Sequence, residues 1–285
     1  MFTVDTNGET FYGDADYDDW LPRFNALYII NPTTNMYATI SKGRRSEVLE
    51  VSSANDEQGS VEASISEVPA EIIWNYETGI KGKALDGRLD YSVAVFYQDY
   101  SNFQVTLQDD EGVAFSADAG SATNVGAEAE VRALINNEFE VFANTAYLDA
   151  EIDDDSNNGN LAGNKFRLQP EWTFSTGLFY STELSNSLNL TSSLIYSYRS
   201  EVYFEPANAP ISGLDISQPG LGLVSARLGI ANGDDWAVSV FASNLLDKEY
   251  LVDAGNTGGG FGNPTFVAGA PRFVGIELTL GFGGQ

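Results

Sequence analysis

The sequence contains no cysteine and no histidine. Disulfides, zinc fingers, thiolate clusters, histidine-ligated haem and cysteine nucleophiles are therefore excluded. So is any triad or general-base scheme that needs an imidazole. Basic residues are scarce: 14 Lys and Arg stand against 41 Asp and Glu, a formal charge of −27 over 285 residues. Such an imbalance repels polyanions and argues against a nucleic-acid partner. Long apolar runs are missing as well. The longest, Ala26 to Ile30 and Val93 to Tyr97, are five residues each, whereas a spanning helix needs about 20. The N-terminal MFTVDTNGET has neither a basic region nor an apolar one, so it does not read as a signal peptide. Either the protein is not exported or its true start is missing.

What is present is a regular alternation. The apolar fraction, 43%, is too high for a disordered acidic tail, and its period is two rather than 3.6. On the last strand Val274, Ile276, Leu278, Leu280 and Phe282 share one face, opposite Phe273, Gly275, Glu277, Thr279 and Gly281. The apolar set is expected to face lipid, with Leu278 near mid-membrane. Ile72, Trp74, Tyr76, Thr78 and Ile80 oppose Asn75, Glu77, Gly79 and Lys81; Val125, Ala127, Ala129, Val131 and Ala133 oppose Gly126, Glu128, Glu130 and Arg132. A helix would mix these faces. The pattern predicts eleven strands, near 20–30, 34–44, 71–82, 87–107, 113–134, 138–151, 166–181, 187–200, 220–231, 236–244 and 270–282. Many are longer than the roughly five or six residues usual in soluble proteins.

The connections alternate in length. Short ones fall near 31–33, 82–86, 136–137, 182–186 and 232–235; long polar ones occupy 45–70, 152–165, 201–219 and 245–269. The exception is Gln108–Gly112, a tight turn joining two long strands that could project as a ribbon. Long amphipathic strands with this alternation suggest an all-β, antiparallel transmembrane barrel, whose closure satisfies every backbone group without water. The alternative is a soluble β-sandwich or β-solenoid with the apolar face as its core. Trp20, Trp74, Tyr97, Tyr147, Trp172, Tyr180, Tyr198 and Trp236 lie near strand ends, as interfacial girdle residues do.

Several segments resemble the C-terminal barrel half of TonB-dependent outer-membrane receptors. EIIWNYETGIKG, Glu71–Gly82, is similar to a family strand, and Asn75, Tyr76, Glu77 and Gly79 carry that likeness. LDYSVAVFYQDYSNFQV follows it as in the family. NVGAEAEVR contributes Gly126 and Glu128. SNLLDKEY contributes Asn244, Leu245, Asp247 and Tyr250; PRFVGIELTLGF contributes Pro271, Arg272 and Phe282. The matches stand in family order across about 210 residues. The resemblance implies an outer-membrane protein with about 22 strands around a plug. This chain has about 11 strands, no candidate plug and no short N-terminal energy-coupling box. At roughly 26 residues per strand and connection, the full barrel needs about twice this length. The chain therefore reads as barrel throughout 1–285, the C-terminal part of a longer receptor. It runs three residues past Phe282, where family members usually end on the aromatic.

The resemblance implies energised import of a bulky, scarce nutrient, most often a ferric siderophore, sometimes cobalamin or an oligosaccharide. The partners it implies are outer-membrane lipid, the plug and remaining strands, the TonB complex acting through the plug, and a small-molecule ligand. No catalysis, cofactor or metal site is implied, because the iron arrives chelated. A self-contained small porin or autotransporter-type barrel is the alternative, and an enzyme on a barrel is disfavoured by the absence of histidine. Asn244 and Asp247 are expected to cap the turn after the strand that starts at Trp236, with Tyr250 locking the loop base. Gly79, Gly126 and Gly275 point inward and are expected to leave room for the plug.

Among candidate sites, Asp153, Asp155 and Asn157 alternate like an EF-hand loop, but position 164 is Asn where the bidentate Glu belongs. A solvated loop is the preferred reading. Glu128 and Glu130, with Arg132, face the lumen and are expected to hydrate it or touch the plug. Phe103, Phe115, Tyr203, Phe204 and Phe261 are candidate ligand contacts in external loops, able to stack on a chelate or sugar. Gly255–Asn263 is glycine-rich without a phosphate-binding spacing, and so reads as a flexible loop.

Overall fold

A computed structural model describes residues 2–6, 9–13, 18–55, 61–108, 114–185, 187–208, 216–233, 235–255 and 265–281. Phe261 and Phe282, and most of the glycine-rich stretch, lie outside the described residues. Eleven strands form one sheet: β1 (Arg23–Asn31), β2 (Thr34–Arg45), β3 (Glu71–Ala84), β4 (Leu89–Ser101), β5 (Ala122–Leu134), β6 (Phe139–Ile152), β7 (Trp172–Ser185), β8 (Leu188–Arg199), β9 (Leu221–Asn232), β10 (Trp236–Ser243) and β11 (Phe273–Leu280). Each pairs antiparallel with its sequence neighbours, so the sheet is a meander from β1 to β11. Among the described strands, β1 and β11 have one neighbour each.

The alternation in sequence becomes two faces. Outward side chains such as Ile276, 75% exposed, and Leu194, 51% exposed, have no protein neighbours to cover them. A greasy face left this open fits lipid rather than a core. Aromatic rings gather at both ends of that face. Tyr147 packs on Trp172 at 4.8 Å towards the long loops, and Phe139 on Tyr180 at 4.5 Å towards the short turns. Trp172 and Tyr180 lie on one strand, roughly 26 Å apart along it at the usual rise, which suits a tilted crossing of the apolar band. Leu278 sits lower than expected. It pairs with Val238, one outward row from Trp236–Leu280 at the short-turn end, so it is not at mid-depth.

The long connections are more ordered than their polarity suggested. The two long strands predicted at 87–107 and 113–134 are each broken. Gln104–Gln108 and Ala114–Asp118 form a separate ribbon, set off from β4 and β5 by Asn102 at φ 55° and Gly120 at φ 87°. These left-handed residues turn the chain out of the sheet plane. Val48–Asn55 pairs with Val61–Val68 inside the predicted 45–70 loop. Shorter ladders join Val202–Tyr203 to Ser217–Gln218 and Leu251–Gly255 to Thr265–Ala268. β7 begins at Trp172 rather than 166, because Phe166 turns into a loop core and Pro170 has no N–H for a ladder.

Candidate functional site

The inner face of the sheet is polar and internally bonded. Asn75, Gln98 and Asn124 sit directly opposite one another on β3, β4 and β5. Gln98 donates to the Asn75 side-chain oxygen at 3.2 Å and accepts from Asn124 at 2.9 Å and from the Tyr100 hydroxyl at 3.1 Å. Lower down, the Tyr37 hydroxyl donates to Glu77 at 2.6 Å. Ion pairs continue the wall: Lys83–Asp90 at 3.1 Å, Arg132–Glu140 at 2.6 Å and Arg227–Glu277 at 2.6 Å. Glu128 and Glu130 differ. Among the described residues neither has an ion-pair partner, and both face a hollow of about 320 Å³ shared with Asn144, Ser175 and Ser197. A second hollow, about 500 Å³, lies beside it over Glu130, Asp90 and Phe142.

The inward glycines do not leave empty space. Tyr37 lies directly opposite Gly79, Phe96 opposite Gly126, Phe142 opposite Gly177 and Phe241 opposite Gly275. In each pair the ring folds down over the glycine, where a β-carbon would collide with it. This corrects the reading that Gly79, Gly126 and Gly275 open the lumen for other occupants: a neighbouring strand fills the place. The costs of substitution differ accordingly. A β-carbon at Gly79 would stand 2.7 Å from the Tyr37 ring and 2.8 Å from the Val93 carbonyl oxygen, whereas at Gly275 its three nearest atoms all belong to the Phe241 ring, the first at 2.6 Å. Gly79→Ala is therefore expected to destabilise the barrel by about 1–3 kcal/mol. Gly275→Ala should be milder, since a ring can swing and a ladder carbonyl cannot. Urea unfolding of the two variants side by side checks this.

The segment from Asn244 to Arg272 is held by its own side chains. Asn244, 5% exposed, accepts from the Lys248 N–H at 2.9 Å and donates to the carbonyls of Lys248 at 2.8 Å and Ala270 at 3.1 Å. Asn244 and Asp247 both adopt left-handed φ, 46° and 54°, which Asn and Asp tolerate best among residues with a β-carbon. Asp247 accepts from the Arg272 N–H at 3.2 Å and pairs with its guanidinium at 3.2 Å. The Leu245 N–H reaches Val224 on β9 at 2.8 Å, and the Gly269 N–H donates to the Tyr250 carbonyl at 2.8 Å. Pro271 is exposed at the entry to β11. On β3, Tyr76 points outward against Tyr97, ring centroids 6.2 Å apart.

Two small cores lie beneath the long loops. Phe103 stacks on Phe166 at 4.4 Å, with Tyr100 edge-on to both. Phe204 is fully buried with Val202 and Ala254, so its ring packs the loops and offers no face to a ligand. Tyr203 is half-buried beside a hollow of about 170 Å³ with Lys165, Gln169 and Glu201. Phe115 is exposed on the ribbon. Asn208, which the sequence reading did not single out, ties two of these loops: it accepts from the Lys165 N–H at 2.5 Å and donates to the Lys165 carbonyl at 3.0 Å. Arg167 reaches a third loop, pairing with Asp253 at 2.9 Å. Nothing in the local pattern announces these contacts, since their partners lie up to 86 residues away.

In the calcium-like segment, Asn158 is buried and bonds Ser121 and the Asp153 carbonyl. Among the described residues no carboxylate cluster could hold a metal. Burial works against the charge on Lys165, but hydrogen bonds to Asp149 and Glu151 outweigh it and raise its pKa above the ordinary lysine value. That clasp is complete at neutral pH, and the lysine's contribution to it is lost as pH rises through the raised value.

Comparison with known proteins agrees with this geometry. The family model described as TonB dependent receptor-like, beta-barrel, matches residues 2–245. The metal-pseudopaline receptor CntO of Pseudomonas aeruginosa is 22% identical over 267 residues, 92% of this chain and 33% of that protein. The ferric-pyoverdine M114 receptor PbuA of Pseudomonas sp. is 26% identical over 200 residues, 66% of this chain and 22% of that one. The ferric yersiniabactin uptake receptor FyuA from Yersinia pestis superimposes with a TM-score of 0.74 at 18% identity, covering 92% of this chain and 37% of FyuA. The chain thus spans about a third or less of the length of the curated relatives it matches. With its open meander, greasy outer face and polar inner wall, the chain belongs to the TonB-dependent receptor β-barrel family.

Proposed function

We propose that this chain forms part of the wall of an outer-membrane receptor that imports a chelated metal, a ferric siderophore. The curated relatives named above are receptors for metal–pseudopaline and ferric pyoverdine, which supports this ligand class. The reaction is binding and gating, not bond breaking. Strands beyond β1 and β11 complete the barrel, since an unpaired edge in lipid leaves backbone groups that cost several kcal/mol each. A plug occupies the lumen and transmits the pull of the TonB complex.

The observation that carries this reading is the unpaired acidic pair on the inner wall. Glu128 and Glu130 are exposed on that wall, share a hollow whose lining carries no cation, and have no ion-pair partner among the described residues, so their charge is open to a basic partner in the lumen. A basic plug segment answers both. This reading assigns ligand contact to Phe115, exposed on the ribbon, and to Tyr203, half-buried beside its hollow, and gives Phe103 a packing role against Phe166. Uptake of radiolabelled iron chelates by cells carrying the receptor tests the function. The expected result is saturable uptake that stops when TonB is deleted or a protonophore is added. Uptake indifferent to both, with steady ion conductance in planar bilayers, would instead support a self-contained porin.

A further inference from the structure

The loop end of the inner wall carries a small hollow apart from the two that Glu130 lines. Outward-facing Trp172 pairs with Tyr147 on one side, and on the other it accepts from the Ser200 N–H at 2.8 Å. Glu171 stands one residue before Trp172 and Glu201 one after Ser200, so alternation puts both on the inward side. Leu148 shares that side, and its N–H donates to the Glu171 carbonyl at 2.8 Å. Glu171 and Glu201, both exposed, line a hollow of about 170 Å³ with the half-buried Tyr203 and Gln169. Like carboxylates brought side by side on one face repel one another. Among the described residues neither has an ion-pair partner; Glu201 accepts from the Ser217 hydroxyl at 2.8 Å.

The chain's own cations are committed elsewhere. Lys165 also lines the hollow, but its ammonium lies 2.5 Å from Asp149 and 3.2 Å from Glu151, neither of which belongs to the lining. Arg167 and Arg272 are held by Asp253 and Asp247. The long connections 46–70, 102–121 and 200–220 contain thirteen Asp and Glu and no Lys or Arg. This side of the mouth therefore draws cations and repels anions. The hollow is also small. A water takes about 30 Å³ of the liquid, so about 170 Å³ admits the end of one ligand arm and not a whole chelate. An aromatic ring beside two carboxylates suits an arm that ends in positive charge: a ring face attracts a cation, and the carboxylates accept its N–H donors.

We propose that this hollow binds a free ammonium group carried by the imported chelate, with Glu171 and Glu201 as its acceptors and Tyr203 as its aromatic wall. The inference rests on the chelate-import reading and adds a ligand class to it: complexes whose organic scaffold bears a free primary amine away from the metal.

The test uses outer membranes from cells carrying the complete receptor and measures equilibrium binding of radiolabelled iron chelates. Two scaffolds, a tris-hydroxamate and a tris-catecholate, are each offered with a free primary amine and with that amine acetylated, so iron coordination is the same within a pair. In any pair that binds, the amine form is expected to bind about fivefold or more tighter. Glu171→Gln with Glu201→Gln should bring the two forms to within about twofold of each other. Asp118→Asn removes an exposed loop carboxylate outside the hollow and keeps the oxygen that accepts from the Gly120 N–H, so the preference should persist. Migration on unheated gels checks that each variant is folded, and the comparison on the unaltered receptor needs no variant. Equal binding of the two forms, tighter binding of the acetylated form, a preference that survives in the double variant, or an equal loss of preference in Asp118→Asn would each overturn the inference and leave the import reading standing. Binding of none of the chelates would overturn both.

Discussion

Leu194→Arg is expected to cost the barrel about 2–4 kcal/mol. Leu194 is half-way along β8 on the outward face, opposite Leu178 on one side and Ala226 on the other. A guanidinium there has no water and no carboxylate within reach, and at mid-depth it cannot snorkel cheaply to either interface. Ser197→Arg, three residues on, is the matching control. Ser197 shares the inner hollow with Glu128 and Glu130, so a new cation meets water and complementary charge, and its cost should stay within about 1 kcal/mol. Urea unfolding in lipid vesicles measures both. Equal costs would mean that the two faces have been assigned wrongly.

The second large effect is expected at Asn244. Asn244→Leu keeps the approximate shape but removes three hydrogen bonds. It leaves an N–H and two carbonyls unanswered at a site with 5% exposure. It also forces a branched side chain into left-handed backbone at φ 46°. The combined loss is expected to reach about 2–4 kcal/mol. Asp247→Asn should cost less than about 1 kcal/mol, because the Arg272 N–H keeps an acceptor and only a half-exposed ion pair is weakened. Limited trypsin digestion reports the difference, since the exposed Lys248 is held in a fixed turn by Asn244 and its backbone can enter the protease only when the clasp opens. An Asn244→Leu protein as resistant as the parent would show that the clasp does not hold this loop.

The sequence by itself determined the fold class, the strand number, the facing of each strand and the family. All of these follow from local regularities. Alternation of period two is written into consecutive residues, so Val93, Val95 and Tyr97 share a face whatever lies beside them. The clasp was legible for the same reason: Asn244, Asp247 and Tyr250 sit within one short segment, and their turn chemistry is local. The tertiary structure alone decided what depends on register and on loops meeting loops. It placed Tyr37 over Gly79 and Phe96 over Gly126, because cross-strand partners are chosen by pairing over tens of residues, not by either neighbourhood. It buried Phe204, an aromatic that looked available in sequence, because three long loops close over it with Arg167, Asn208 and Asp253 joining them. It also lined up Ala38, Thr78, Val95 and Ala127 across four strands beside an outward hollow, although no single strand shows which residues will stand side by side. A single strand fixes which way a side chain points; only the register between strands fixes what stands opposite it.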